Sequence, residues 1–278
     1  MSSTVSLHDI GLTEETRSEL SPEHAVRIGA TINATSTPGA GDVLPLLWHW
    51  AYFTPTAPTS ELGTDGHPVL PEGPLSKFPR RMWASGSIEA DGYLVVGTPA
   101  TRTSRILDHK ESEGRSGALF IVRVEHRFRQ FDVDRIVEEQ TLVYREAGPP
   151  IPLPVGDHRP EIEGDQWQED HLPDTATLFR FSSITFNSHR IHYDEPYATT
   201  VEGYPTLVVH GPLTALLVGE SIRRQFGRHL ARFEFRANAP LFVNSPFSII
   251  GTPGADVSAR VVRNDGTEAM RVSATVRD

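Results

Sequence analysis

The chain has 278 residues, 38% hydrophobic and 22% charged, with 26 basic against 36 acidic side chains and a net charge of -10. That length allows one large domain or two of ordinary size, either of which can bury a sizeable core. The absence of cysteine excludes disulfides, zinc–thiolate centres and thiol nucleophiles, and no apolar run reaches the ~18–20 residues that a membrane span needs. A net-negative chain is also a poor ligand for nucleic acid, which demands a positive face. The segment MSSTVSLHDIGLTEETRSEL has neither a basic start nor an apolar stretch of secretory type. The expectation is a cytoplasmic protein with no membrane or nucleic-acid partner, acting on a small molecule or a protein.

In chain order, Ser21-Pro22-Glu23 opens a helix through Ile32, with serine as cap and proline in the first turn. Leu44–Phe53, LPLLWHWAYF, suits a short buried helix or a strand. Strand-like runs begin at Arg81, Pro99, Ala118 and Arg135; in the third, Phe120, Val122 and Val124 alternate with Arg123 and Glu125, as in an antiparallel sheet with one wet face. From Ala147 to Ala176 proline and acidic residues displace any hydrophobic period, which marks a linker. A strand LFRFS from Leu178, a polar turn, a short segment DEPYATTV and a long apolar helix from Leu207 to Gly227 follow. Strands then begin at Ala231, Phe247, Ala255 and Glu268, the last two joined through Asn264-Asp265-Gly266, a strong hairpin signal. Helix followed by consecutive antiparallel strands thus occurs twice. The expected fold is α+β in two halves, each wrapping a sheet around a helix, with boundaries at 1–146, 147–176 and 177–278.

The densest chemistry lies between Asn187 and Asp194, where an amide, two imidazoles (His189, His192), a guanidinium, a phenol (Tyr193) and a carboxylate gather in one turn. A plain reading makes the two histidines satisfied structural groups. Weighing against it is Val209-His210-Gly211-Pro212-Leu213 at the start of the long helix, where a glycine lets a ligand approach and unpaired N–H groups favour developing negative charge. A base paired with an oxyanion donor forms enolates. His189-x-x-His192-x-Asp194 also offers metal-type ligands, but Tyr193 and the positive charge of Arg190 disfavour a dication there, and no metal is expected. Hydrolase, Walker and dinucleotide motifs are absent. Arginines at 80 and 81, and at 223, 224, 228, 232 and 236, are mostly a solvated face, from which a few can clamp phosphates or a carboxylate.

FRFSSITFNSHRIHYDEPYA followed by GYPTLVVHGPLTALLVGE resembles the MaoC-like hydratases and dehydratases, specifically the type 2 hydroxyacyl-thioester dehydratase branch with the mesaconyl-CoA and itaconyl-CoA hydratases. LPLLWHWAYF, DGHP, FPRRMWASGSI, KESEGRSGALFIVRVEH and EEQTLVYRE in the first half are similar to the same branch. The resemblance implies a double hotdog whose first half is catalytically degenerate and shapes the acyl pocket. It implies reversible addition of water to an enoyl-CoA thioester, with coenzyme A as part of the substrate, no separate cofactor, and a homo-oligomer. Carried over by position, the motif's histidine falls on His192, its aspartate on Asn187 and its asparagine on His189. His192 is then the general base and the Gly211 N–H the oxyanion donor. His189, Tyr193, Asp194, His210, Arg80 and Arg81 fall to substrate binding, with Asp194 a possible assistant in proton return. A fatty-acyl or polyketide 3-hydroxyacyl-thioester dehydratase and a non-catalytic acyl-thioester binder are the alternatives.

Overall fold

Period-two alternation builds most of the sheet, but the chain's first strand carries none of it. Thr13–Glu19 has no large apolar side chain and alternates only between exposed and half-buried; it forms β1 because its backbone pairs antiparallel with the strand that begins at Pro99. The computed structural model describes residues 13–69, 74–114 and 117–278, so residues 1–12 of the segment read for a secretory signal, residues 70–73, and Arg115 and Ser116 lie outside the described residues. Helix α1 (Pro22–Ile32) follows, ended by Asn33 in the left-handed region. LPLLWHWAYF contains a single 3-10 turn, Trp48–Ala51. Strands β2 (Arg80–Ala90), β3 (Pro99–Gly114), β4 (Gly117–Gln130) and β5 (Val133–Arg145) complete the first half.

The second half repeats this order: β6 (Trp167–His171), α2 (Thr175–Thr185), α3 (Glu195–Thr200), α4 (Gly211–Phe226), β7 (His229–Ala237), β8 (Phe247–Thr252), β9 (Val257–Arg263) and β10 (Glu268–Arg277). Three expectations change here. The 147–176 segment is not all linker, since β6 within it pairs with β8 and Trp167 lies across Gly251, where a Cβ would overlap its ring. LFRFS is helical, because Asp174 caps the Thr177 N–H at 2.8 Å and Leu178, Phe181 and Ile184 recur at helical spacing on a buried face. The long helix starts at Gly211: residues 207–209 are held extended, with Val209 N–H on the Leu241 carbonyl and Val243 N–H on that of Leu207. It ends at Gly227, whose φ of 63° terminates it.

The ten strands among the described residues form one sheet in the order β1-β3-β4-β5-β2-β7-β10-β9-β8-β6. Read outward from the centre, the halves match strand for strand, β2 with β7, β5 with β10, β4 with β9, β3 with β8 and β1 with β6. Antiparallel pairing of β2 with β7 joins them, Gly86 opposite Phe235, and a Cβ at Gly86 would strike that ring at 2.6 Å. In the second half the sheet wraps α4, whose residues Leu213 to Ile222 are buried. In the first half the corresponding place on β4 and β5 is taken by the 3-10 turn alone, with His49 against Phe128 at 4.5 Å between ring centroids and bonded to Glu138 at 3.0 Å. This is a double hotdog with one central helix reduced to a turn. One apolar core runs through both halves and holds Ile28, Trp48, Ile88, Phe181, Leu213 and Phe233. Among the described residues no helix is long and apolar enough to cross a membrane.

Candidate active site

The turn that leaves α2 is shaped by its own backbone. Phe186 takes a left-handed conformation (φ 50°), and the Asn187 N–H returns to the Ser182 carbonyl at 2.9 Å. Asn187 Oδ1 then accepts the His189 N–H at 3.0 Å, a local side-chain turn that leads into the 3-10 turn Arg190–His192. Asp194 caps α3 by accepting the Tyr197 N–H at 3.1 Å.

His192 ends up buried beside the start of α4. Its Nδ1–H donates to the Val208 carbonyl at 2.7 Å, which leaves the lone pair on Nε2, a nitrogen with no partner among the described residues. Its ring stacks on that of His210, 3.6 Å between centroids, and His210 is held by the Ser182 hydroxyl at 2.9 Å. Burial pushes the His192 imidazole down to about 4, the bond to Val208 opposing only in part. Burial and neighbouring imidazoles also lower His189 and His210. The cluster is therefore neutral at physiological pH, as a general base must be.

Gly211 opens α4 with its N–H in the first turn, where no intrahelical acceptor exists. The glycine is required by packing, because a Cβ there would stand 2.9 Å from the Trp83 ring. Trp83 itself stacks on Phe235 across the central seam at 3.8 Å. These groups face one cavity of about 560 Å³, lined from the second half by Phe181, Asn187, His189, His192 and Gly211, and from the first by His49, Trp50, Arg81, Trp83, Gln140 and Arg145. It is of the size that holds a small organic ligand.

The structure redistributes several residues expected at this site. Arg80 is buried in an ion pair with Glu202 at 3.3 Å, donates to the Gly148 carbonyl and does not line the cavity; strand alternation sends Arg81, not Arg80, to the mouth. Tyr193 is half exposed and donates its hydroxyl to the Ser188 carbonyl at 3.1 Å. Asp194 is taken by Arg190 at 2.7 Å and by its cap, so His189, His192 and Asp194 do not converge on a metal. Among the described residues the group with metal-ligand spacing is instead Asp65, His67 and His189, donor atoms within 4.8 Å of one another. His210 does not line the cavity but backs His192 from behind.

Among the cavity residues that the sequence reading does not single out, two carry chemistry that the site can use. His67 lies in DGHP and Arg145 at the end of β5; nothing in their local spacing marks them, since both reach the site only through the fold. Arg145 has no carboxylate at ion-pair distance among the described residues, and its Nε is buried without a partner.

Titration of the cluster has a sign that can be checked. Because His192 and the first half's His126 both fall from 6.5 to about 4 on burial, the unfolded chain binds protons that the fold refuses between those values. Their stabilising contribution is complete above 6.5 and is lost as the pH falls towards 4. The thermal unfolding midpoint is expected to drop steadily from about pH 7 to about pH 4.5; a flat midpoint over that range contradicts the assignment.

The profile of the family described as "Hydroxyacyl-thioester dehydratase type 2" matches residues 47–243. The chain is 42% identical over 273 residues to the mesaconyl-C(4)-CoA hydratase of Chloroflexus aurantiacus, covering 96% of this chain and 95% of that one. HtdX of Mycobacterium tuberculosis superposes with a TM-score of 0.70 at 16% identity, over 96% of this chain and 100% of that chain. A second protein of that organism, described as a double hotdog, gives 0.62 at 11% identity over 96% of each chain, so the fold seen here is shared by both. On the matched span and the 42% identity, the chain is a hydro-lyase and belongs to the type 2 hydroxyacyl-thioester dehydratase family.

Proposed function

We propose that the chain hydrates an enoyl-CoA thioester whose acyl group carries a second carboxylate, as mesaconyl- and itaconyl-CoA do. The observation that carries the reaction is the pairing of a neutral His192, its Nε2 unpartnered, with the free Gly211 N–H at the head of α4. His192 Nε2 takes a proton from water as the oxygen bonds to Cβ. The π electrons move onto the thioester oxygen, where the Gly211 N–H and the positive end of α4 hold the enolate, one such donor contributing on the order of 3 kcal/mol. His192 then returns the same proton to Cα, so that H and OH have been added and the base is neutral again; dehydration runs the steps in reverse. Asn187 supports the turn through Oδ1, and its amide N–H groups remain available to the bound thioester or water. His189 lines the pocket beside it.

The second carboxylate is assigned to Arg145 and Arg81, cavity-lining guanidiniums with no acidic partner at ion-pair distance among the described residues. Arg145, with its buried unpartnered Nε, takes the acyl carboxylate; Arg81, exposed at the mouth, suits the phosphates of coenzyme A. The test is a hydration screen with crotonyl-, mesaconyl-, itaconyl- and long-chain enoyl-CoA on the intact chain and on Arg145→Gln. The expected result is a preference for the dicarboxylic substrates, with Arg145→Gln raising their KM about 10- to 100-fold and leaving that for crotonyl-CoA nearly unchanged. A long-chain preference points to a fatty-acyl or polyketide dehydratase, and CoA-ester binding without turnover to a binding protein. Either outcome rejects the proposal.

A further inference from the structure

The loop that carries Asp65, Gly66 and His67 belongs to the first half, yet it is docked on the reactive turn of the second. The Arg190 N–H donates to the Asp65 carbonyl at 2.9 Å, Arg190 Nη1 to that of Thr64 at 2.9 Å, and the Ser188 hydroxyl to that of Gly66. All three acceptors are backbone carbonyls, so docking the loop makes no use of the His67 side chain. That side chain is nevertheless fixed. Asp65 accepts the His67 N–H at 3.0 Å and sits 3.3 Å from Nδ1. An ionised carboxylate beside Nδ1 places the proton there and leaves the lone pair on Nε2, which has no partner among the described residues. The ring lines the cavity, 4.3 Å between centroids from His189, which is itself 5.5 Å from His192. Burial, outweighing Asp65, lowers the imidazole below its ordinary value, so it is neutral when the enzyme works.

A water activated by one base has a second O–H. With only one acceptor it rotates about that bond, and the lone pair that must meet Cβ is not aimed. Asp194 is committed to Arg190 and the α3 cap and does not line the cavity, and Asn187 Oδ1 already receives the His189 N–H. Of the imidazoles of His67 and His189 beside His192, only that of His67 has its tautomer set by a side-chain partner among the described residues, which aims a fixed lone pair at the water. We infer that His67, turned by Asp65, is a second catalytic residue: its Nε2 accepts a hydrogen bond from the O–H of the water that His192 does not deprotonate. The inference rests on the hydratase reading above. No extra proton moves, since His192 takes one and returns it to Cα while the O–H facing His67 stays on the product hydroxyl. In dehydration His67 holds the departing hydroxyl in the same way. The supposedly degenerate half therefore contributes to the chemistry as well as to the pocket. The same residues have metal-ligand spacing with His189, but the guanidinium of Arg81 acts on both rings and opposes a dication there.

The experiment compares wild type, His67→Leu, His67→Gln and Asp65→Asn in steady-state hydration of the preferred enoyl-CoA, with unfolding midpoints and a chelator control. The expected result for His67→Leu is a kcat about 100-fold lower with KM within about threefold and an unchanged midpoint. Glutamine, whose Oε1 can accept the same hydrogen bond, should recover part of the loss, and Asp65→Asn should fall between wild type and His67→Leu. Wild-type activity should survive chelation. An active wild type whose leucine variant keeps its kcat, or whose glutamine variant is no better than leucine, removes the inference and leaves the hydratase reading standing. Activity abolished by chelator and restored by zinc replaces it with a metal site at Asp65, His67 and His189. A wild type inert towards every enoyl thioester removes the hydratase reading and the inference together.

Discussion

Replacing His192 by alanine is expected to lower kcat for hydration by about 10²–10⁴, the contribution of a positioned general base. The structural consequence is small by comparison. The substitution leaves the Val208 carbonyl without its 2.7 Å donor and removes the ring stacked on His210, and one lost buried hydrogen bond costs about 1–3 kcal/mol. The variant should therefore fold with a lower unfolding midpoint, bind enoyl-CoA and turn it over at the residual rate supplied by Gly211 and binding alone. Steady-state kinetics beside calorimetry separates the two effects. Near-wild-type turnover by His192→Ala would sink the assignment of the base, whatever its midpoint.

The second large effect is expected at Gly66, a residue that does no chemistry. Its φ is +87°, and a Cβ would stand 1.9 Å from the Ser188 carbonyl oxygen. Left-handed backbone costs an L-residue roughly 1–2 kcal/mol, and the overlap with Ser188 adds to this because neither chain segment can yield without breaking the hydrogen bonds of Asp65 and Thr64 to Arg190. Gly66→Ala should push the loop off the reactive turn and reduce kcat by about 10- to 100-fold, as small displacements of reacting groups do. The sheet should remain as it is, since no strand of the ten includes residue 66. Far-ultraviolet circular dichroism of wild-type shape together with proteolytic nicking between residues 63 and 69 would support this, and full activity would contradict it.

What could be read from the chain and what could not divides along physical lines. Seven strands announce themselves by alternation and β8 by a short apolar run buried on both faces; β4, where Phe120 and Val122 are buried, Ile121 between them is half-buried and Arg123 after them is exposed, is the clearest. Helix α4 is legible from its apolar run, its proline and its closing glycine. β1 and β6 are not, since TEETRSE and WQEDH are edge strands formed by backbone pairing with little apolar burial of their own. α2 misleads because Leu178, Phe179 and Phe181 within the five residues LFRFS fit either period, and only the Asp174 cap before them decides. In the site, Asn187, His189, His192 and Gly211 are legible because the turn and the helix start that hold them are local. Arg80 and Arg81 are adjacent in sequence and opposite in fate, one burying its charge against Glu202 and the other facing the mouth. His67 is invisible from spacing alone, since the turn it serves lies 122 residues away along the chain from the glycine beside it.

The shortened centre of the first half has a consequence for how this enzyme acquires its appetite. α4 runs for 16 residues, about 24 Å at 1.5 Å per residue, whereas the matching place in the first half holds the four residues Trp48–Ala51. The concave surface of β4 and β5 that a full helix would fill is left to Phe128, Glu138, Gln140 and Leu142, and all four line the cavity together with His49, Trp50 and Phe53. Under the proposed function, the volume offered to the acyl chain takes the place of about three turns of helix. In that function the half with the shortened centre shapes the space for the substrate and brings in His67, while the other half holds His192 and Gly211. On that reading, lengthening or trimming that single turn rescales the cavity without touching the turn that holds His192, so the choice of substrate can change apart from the addition of water in a chain that joins both halves in one sheet.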